Sequence, residues 1–173
     1  LGLGAWLHLS KAGRRPSPDL AQFLNRLLDK LPRDGAILTV LGAFALDNRQ
    51  IERARGYYER ARNIPAAEEA ALSGLLKVHY FSSEWEQALA CADRLIEINP
   101  GDARVHAMRA DILKALGRRN EGIESAQRAL AFNPTLVPVR EWLVEVYRQT
   151  GRDEERREQE QILRRMRDAR PPR

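Results

Sequence analysis

The chain has 173 residues, of which 43% are apolar, enough for the core of one ordinary domain. No stretch approaches the roughly 20 apolar residues that span a bilayer, so a membrane span is excluded in these residues. One cysteine, Cys91, excludes an internal disulfide and leaves the compartment open. The net charge of +5 is concentrated in the arginine-rich residues 164–173, so a continuous basic groove for nucleic acid is not expected.

The opening of the chain predicts an irregular first unit at residues 1–34. Residues 1–9 are apolar and basic residues follow them, which favours an amphipathic helix at about 2–12; the end of a signal or anchor segment is the alternative. Apolar residues at helical spacing, from Phe23 to Leu31, predict a second helix that stops before Pro32. Because the chain opens with Leu1, we expect it to be part of a longer protein.

From residue 35 the sequence repeats every 34 residues. Asn99-Pro100 closes one helical segment, and Asn133-Pro134 closes the next. A period of this size is typical of stacked supersecondary units. We therefore predict units at 35–68, 69–102, 103–136 and 137–168, which with 1–34 form one solenoid domain, followed by a basic disordered tail at 169–173.

The sequence pattern of each of these units predicts two helices and no strand. Apolar residues three and four apart place one buried face on each first helix, as in Leu38, Leu41 and Ala45. Turn-forming residues then break the pattern. The second helices are predicted at about 50–62, 84–97, 119–132 and 152–168. In the last of these, the Glu/Arg run 153–160 indicates solvent-facing ion pairs, and we expect a capping helix with a wet outer face.

Small residues recur where the two helices of a unit must cross. Gly42, Ala54 and Ala61 occupy positions 8, 20 and 27 of their unit, and residues 110, 122 and 129 (Ala, Gly and Ala) repeat them. Proline recurs at position 32 and glycine at position 15. The pattern resembles the tetratricopeptide repeat over 35–168, and partly over 1–34. The departures are a proline one position early, polar residues at apolar or aromatic positions and a large residue at a small one: Pro65, His106, Arg109, Arg156 and Glu160.

The resemblance implies an all-α, right-handed superhelical solenoid of about five helix pairs, whose concave wall is lined by the first helix of each pair. The family's contact positions carry over to a wall of mixed charge. For each residue on it the alternative is a solvated face. The candidate partner-binding residues are Lys77, Tyr80, Phe81, Arg104, Asp111, Lys114, Glu145 and Arg148.

A terminal carboxylate is disfavoured as the ligand on that wall. Some members of the family clamp a free C-terminus with lysines and asparagines. Here Ala43 and Gly74 stand where asparagines would be needed.

The predicted function is a non-catalytic scaffold for protein–protein interaction that binds a protein or peptide segment and needs no cofactor. The alternatives are a docking segment of a larger multi-domain enzyme or envelope protein and, more remotely, an RNA-binding helical repeat, which the acidic unit 69–102 disfavours. Self-association through the first repeat also stays open. The ratio of 25 Arg to 4 Lys suggests a GC-rich bacterial genome.

Catalysis is not expected from this sequence. The histidines, His8, His79 and His106, lack the spacing of metal ligands, and we expect His79 to be packed against its neighbours. Cys91 lies among alanines, which favours a buried thiol. No nucleophile, base and orienting acid can be proposed together.

Overall fold

A computed structural model gives the structure of residues 18–168. The helix predicted at 2–12 and the tail predicted at 169–173 lie outside the described residues. Within them the chain forms α-helices, one short 3-10 helix at Pro65–Ala67, and no strand, which confirms the predicted all-α class of helix pairs. The helices are α1 (Pro18–Lys30), α2 (Gly35–Asp47), α3 (Ile51–Arg62), α4 (Glu68–Phe81), α5 (Trp85–Ile98), α6 (Ala103–Ala115), α7 (Arg119–Phe132), α8 (Val137–Gln149) and α9 (Asp153–Asp168).

The chain divides into two compact units between Leu95 and Ile96. The first unit contains α1 to α4 and most of α5, and the second contains α6 to α9. From α2 onward the helices come in consecutive pairs, and α3, α5, α7 and α9 all lie within one residue of the predicted second helices.

One backbone turn joins the two helices of every pair. The residue at position 15 of each 34-residue unit has a positive φ of 58–73° in all four pairs. The next amide donates to the carbonyl five residues earlier, as in Gln50 to Ala45 at 2.8 Å and Arg118 to Leu113 at 2.9 Å. This is the Schellman pattern that ends a helix. The residues in the left-handed conformation are Arg49, Ser83, Gly117 and Gly151, so only two of the four are glycine.

Tyr58 is buried in the first unit and projects from α3 toward two glycines. Tyr58 is only 4% exposed. A Cβ atom at Gly42 on α2 would lie 2.7 Å from its ring, and one at Gly74 on α4 would lie closer still. Both positions must therefore be glycine for the ring to fit between the helices. Burial raises the pKa of the Tyr58 hydroxyl well above its usual value.

The core of the second unit contains two polar side chains at equivalent positions. His106 and Arg140 both occupy position 4, which Leu fills in the first unit, and both are buried. The Nε2 atom of His106 donates to the Pro100 carbonyl at 2.9 Å, and Arg140 donates through Nε and Nη2 to the Pro134 carbonyl at 3.2 and 3.0 Å. Each side chain thus satisfies the carbonyl of the proline that ends the preceding helix pair.

The last helix, α9, packs against α8 and has no buried residue. Arg156 contacts Asp153 at 3.1 Å and Glu160 at 2.8 Å, and Arg152 contacts Glu155 at 2.7 Å. This confirms the predicted ion pairs of the Glu/Arg run. Exposed ion pairs of this kind contribute little to stability. The capping role of α9 therefore rests on its solvent-exposed surface and remains a prediction.

We predict that Gly74→Ala lowers the free energy of unfolding by about 1–3 kcal/mol, because the added methyl group has no room beside the Tyr58 ring. The matched control is Gly56→Ala, in the middle of α3, where no atom lies within 4 Å of the added Cβ. It should raise stability by about 0.5–1 kcal/mol through helix propensity alone. Urea unfolding measures both, and a similar gain for both variants would contradict the packing described for Tyr58.

Candidate functional site

The second unit has a crevice between α6 and α8, the first helices of consecutive pairs. Two cavities lie along it. The apolar pocket, of about 250 Å³, is lined by Ala107, Met108, Asp111, Leu136, Val139 and Trp142 among others. The basic pocket, of about 170 Å³, is lined by residues that include Lys114, Gly117, Arg119, Trp142, Glu145 and Gln149.

Trp142 separates these two pockets and is held by the core beneath it. Its indole packs against the second unit's apolar cluster. A Cβ atom at Gly122 on α7 would lie 3.2 Å from its Cη2 atom, so the ring lies close to the neighbouring helix. The crevice therefore has a wall that is fixed before any partner arrives.

Three of the predicted partner-binding residues lie in this crevice. Asp111 lines the apolar pocket, while Lys114 and Glu145 line the basic pocket. The Glu145 carboxylate accepts hydrogen bonds from Arg148 at 2.7 Å and from Gln149 at 2.9 Å. Its charge is thus largely compensated within α8, and Arg148, also a predicted contact, is occupied by that pair.

Arg104 lies apart from the two pockets, in the first turn of α6. Its side chain is 87% exposed, and its Nε atom lies 3.5 Å from the Asp102 carboxylate. Asp102 also caps the helix by accepting from the Arg104 amide at 2.8 Å. The surroundings of Arg104 are those of a solvated cation near a helix start.

In the first unit, Lys77, Tyr80 and Phe81 share α4. Phe81 is 65% exposed, and its ring packs edge-on against Tyr80 at 6.2 Å between centroids. Tyr80 also packs edge-on against Trp85, the first residue of α5, at 5.5 Å. These three rings form an aromatic cluster one turn beyond the exposed Lys77. Trp85 was not among the partner-binding residues predicted from sequence.

Sequence reasoning also missed most of the apolar pocket. Met108 and Trp142 both occupy position 6 of their units, and neither was among the predicted contacts. Reading position 6 through every unit would have found them. No sequence pattern indicated Arg119, because it lies at the start of a second helix. The turn at Gly117 brings it to the crevice.

In the first unit, a cluster of polar side chains links α3, α4 and the residue that precedes α5. Glu84 accepts hydrogen bonds from Arg55 of α3 at 2.8 and 2.9 Å and from His79 Nδ1 of α4 at 2.5 Å. The Arg55 guanidinium first, and then His79, hold the pKa of Glu84 at about 2. His79 is therefore engaged in a structural pair, as expected of a packed histidine. A carboxylate so firmly ionised is unsuited to donating a proton.

In the first unit, His79 is paired and Cys91 is buried. A wider groove in the first unit contains His79 and Cys91, but Arg94 in it is bonded to Glu68 at 3.0 and 3.1 Å. Cys91 is buried, as predicted, and burial raises the pKa of its thiol, so it is a poor nucleophile. Between residues 18 and 168, no group of His, Cys, Asp and Glu is placed to hold a metal ion. No described helix is long and apolar enough to cross a bilayer.

Comparison with protein families supports the resemblance seen in the sequence. Two family models, both described as tetratricopeptide repeat, match residues 45–112 and 103–136. Together they extend over just more than half of the chain. A comparison with curated protein sequences finds no significant match.

Solved structures of MamA have a similar fold. MamA of AMB-1 is 21% identical, with 95% of this chain and 88% of that chain covered, at a TM-score of 0.79. A double mutant of RS-1 MamA is 15% identical over 94% and 90% of the two chains, at a TM-score of 0.83. MamA of MSR-1 is 21% identical over 92% of each, at a TM-score of 0.75. At such identities the likeness shows the fold alone.

We predict that Glu84→Gln destabilises the protein at neutral pH and that the loss disappears in acid. The pKa of Glu84 falls from 4.5 to about 2 on folding. Its contribution is therefore complete above about pH 5 and is lost as the pH falls toward 2. Urea unfolding at several pH values gives the difference from wild type. The control is Glu86→Gln, exposed on α5 two residues after Glu84; a loss for Glu84→Gln that persists unchanged at pH 2 would contradict the assignment.

Proposed function

This chain belongs to the tetratricopeptide repeat family, and we propose that it is a non-catalytic scaffold that binds a partner peptide or protein segment on the concave face of its repeats. A protein-binding role follows from the family, whose repeats are generally scaffolds without catalysis. The proposal goes further in placing the partner against the first helices of the pairs.

One observation carries this placement. Asp111, Lys114 and Glu145, chosen from the family's contact positions, line the two pockets of the crevice between α6 and α8. A binding surface needs concave places into which a partner's side chains can fit, because those contacts exclude water and supply most of the affinity. The second unit offers such places along its first helices.

The first unit supports the same placement through different chemistry. Its candidate contacts are the aromatic cluster of Tyr80, Phe81 and Trp85 and the exposed ammonium group of Lys77. Aromatic side chains at a surface bury much apolar area on binding and lose little rotamer freedom. A nearby cation adds selectivity for acidic segments.

The proposed mechanism is binding to a preformed surface. The crevice walls are regular helices, and Trp142 is already packed against the apolar cluster and close to Gly122 of α7. Little ordering of the scaffold is then needed when the partner binds, which lowers the free-energy cost of association.

We predict that charge reversal on the first helices releases partners captured from cell extract. Lys77→Glu/Lys114→Glu should retain at least about tenfold less of a partner held by the wild-type protein, because opposite charges at an interface become like charges. The quantity measured is each captured protein, quantified by mass spectrometry, after both proteins have shown the same melting temperature.

The matched control is Arg53→Glu/Arg128→Glu, which makes the same change in net charge at exposed positions on the second helices α3 and α7. It should capture as much as wild type. Equal losses in both double variants would indicate a general charge effect, and equal capture by all three would move the interaction away from the first helices.

A further inference from the structure

We propose that the crevice between α6 and α8 recognises an extended peptide segment carrying an apolar side chain and an acidic side chain two residues apart. The apolar side chain would enter the apolar pocket and the carboxylate would enter the basic pocket. This inference rests on the proposed function and names the class of partner that the second unit selects.

The size of the cavities favours side chains over a small-molecule ligand. They measure about 250 and 170 Å³, below the roughly 300–1,000 Å³ typical of small-molecule and cofactor sites. Two separate cavities of this size suit two side chains of one segment.

The apolar pocket has the chemistry of an anchor site. Met108 and Val139 face it from the two helices, and Trp142 closes one end. A partly exposed tryptophan beside a methionine is typical of contacts that dominate binding, since the methionine adapts to the shape of the entering group. Asp111 is the only charged group among its lining residues, so an apolar occupant is favoured.

The basic pocket carries positive charge that its surroundings leave uncompensated. Within residues 18–168, the Lys114 and Arg119 side chains make no ion pair or hydrogen bond. The one carboxylate in the lining, Glu145, is already bonded to Arg148 and Gln149. Two cations that no carboxylate pairs with attract an anionic group, and the guanidinium can bind a carboxylate through two hydrogen bonds.

The spacing of the two pockets sets the spacing of the two side chains. Asp111 and Lys114, which line different pockets, are three residues apart on α6, a separation of about 5–6 Å between their Cβ atoms. Alternate side chains of an extended strand project to the same side about 6.5–7 Å apart, since each residue rises roughly 3.3 Å. An apolar residue and an acidic residue at i and i+2, in either order along the peptide, match this distance.

The test begins with selection of binding peptides from a random library displayed on phage, with the full chain as bait. Synthetic peptides of the selected sequences are then titrated by fluorescence anisotropy. We expect selected sequences to carry the apolar–x–acidic pair in one of its two orders. Replacing the apolar residue with Ser, or the acidic residue with Lys, should each weaken binding to the wild-type protein at least about tenfold.

The protein variants report on the basic pocket. Lys114→Glu/Arg119→Glu should weaken binding of the acidic peptide at least about tenfold and should regain affinity for the peptide in which Lys replaces the acid. The control, Arg128→Glu/Arg157→Glu, changes the same charge at exposed positions on α7 and α9 and should bind as wild type does.

Selected peptides without the pair, equal binding to Lys114→Glu/Arg119→Glu and wild type, or no enrichment would each overturn this inference. If the selected peptides respond instead to Lys77→Glu, the proposed function stands and this inference alone fails. If they respond to neither set of variants, both fail.

Discussion

Close approach between neighbouring helices is the constraint on which the other features of this molecule depend. In the first unit Tyr58 lies against Gly42 and Gly74, at separations that admit no side chain on either glycine. In the second unit Trp142 lies close to Gly122, where an added Cβ atom would be 3.2 Å from its ring. Each contact places one large ring over a position without a side chain, so the helices pack at short distance without leaving a void. The position of every surface side chain follows from where these helices lie.

The same backbone geometry recurs at the turn within each helix pair, although the residues differ. Each turn between paired helices contains one left-handed residue and the same hydrogen bond back to the first helix, whether that residue is Gly117 or Arg49. A non-glycine residue in this conformation costs about 1–2 kcal/mol, which the surrounding helix packing offsets. His106 and Arg140 likewise make equivalent contacts with different side chains, since each donates a hydrogen bond to the proline carbonyl at the corresponding position.

Some charged side chains are paired within the fold, whereas others are available to bind a partner. Arg55 is paired with Glu84, Arg94 with Glu68, and Arg148 with Glu145. Lys114 and Arg119, by contrast, line a cavity whose one carboxylate, Glu145, is bonded to Arg148 and Gln149 instead. A cation that is paired within the fold thus differs from one that is available to bind a partner. The number of charges along the chain is therefore a weak guide to the binding surface.

The sequence by itself determined the helices, their pairing and their family. Periodic apolar residues, prolines and small residues are local signals, and the second helices, such as α7 at Arg119–Phe132, follow them to within one residue. Position in the repeat also indicated Asp111, Lys114 and Glu145 as residues of one wall, and they line one crevice. The sequence could not distinguish the turn at Ser83 from an ordinary break, because the left-handed backbone there is imposed by its neighbours.

Only the tertiary structure decided how the side chains are used. It placed Trp142 between two pockets, brought Arg119 to the crevice, and joined Arg55 to Glu84 across 29 residues of chain. The reason is physical: helix formation depends on residues three and four apart, whereas pairing, burial and cavity shape depend on atoms that meet only after the helices have packed.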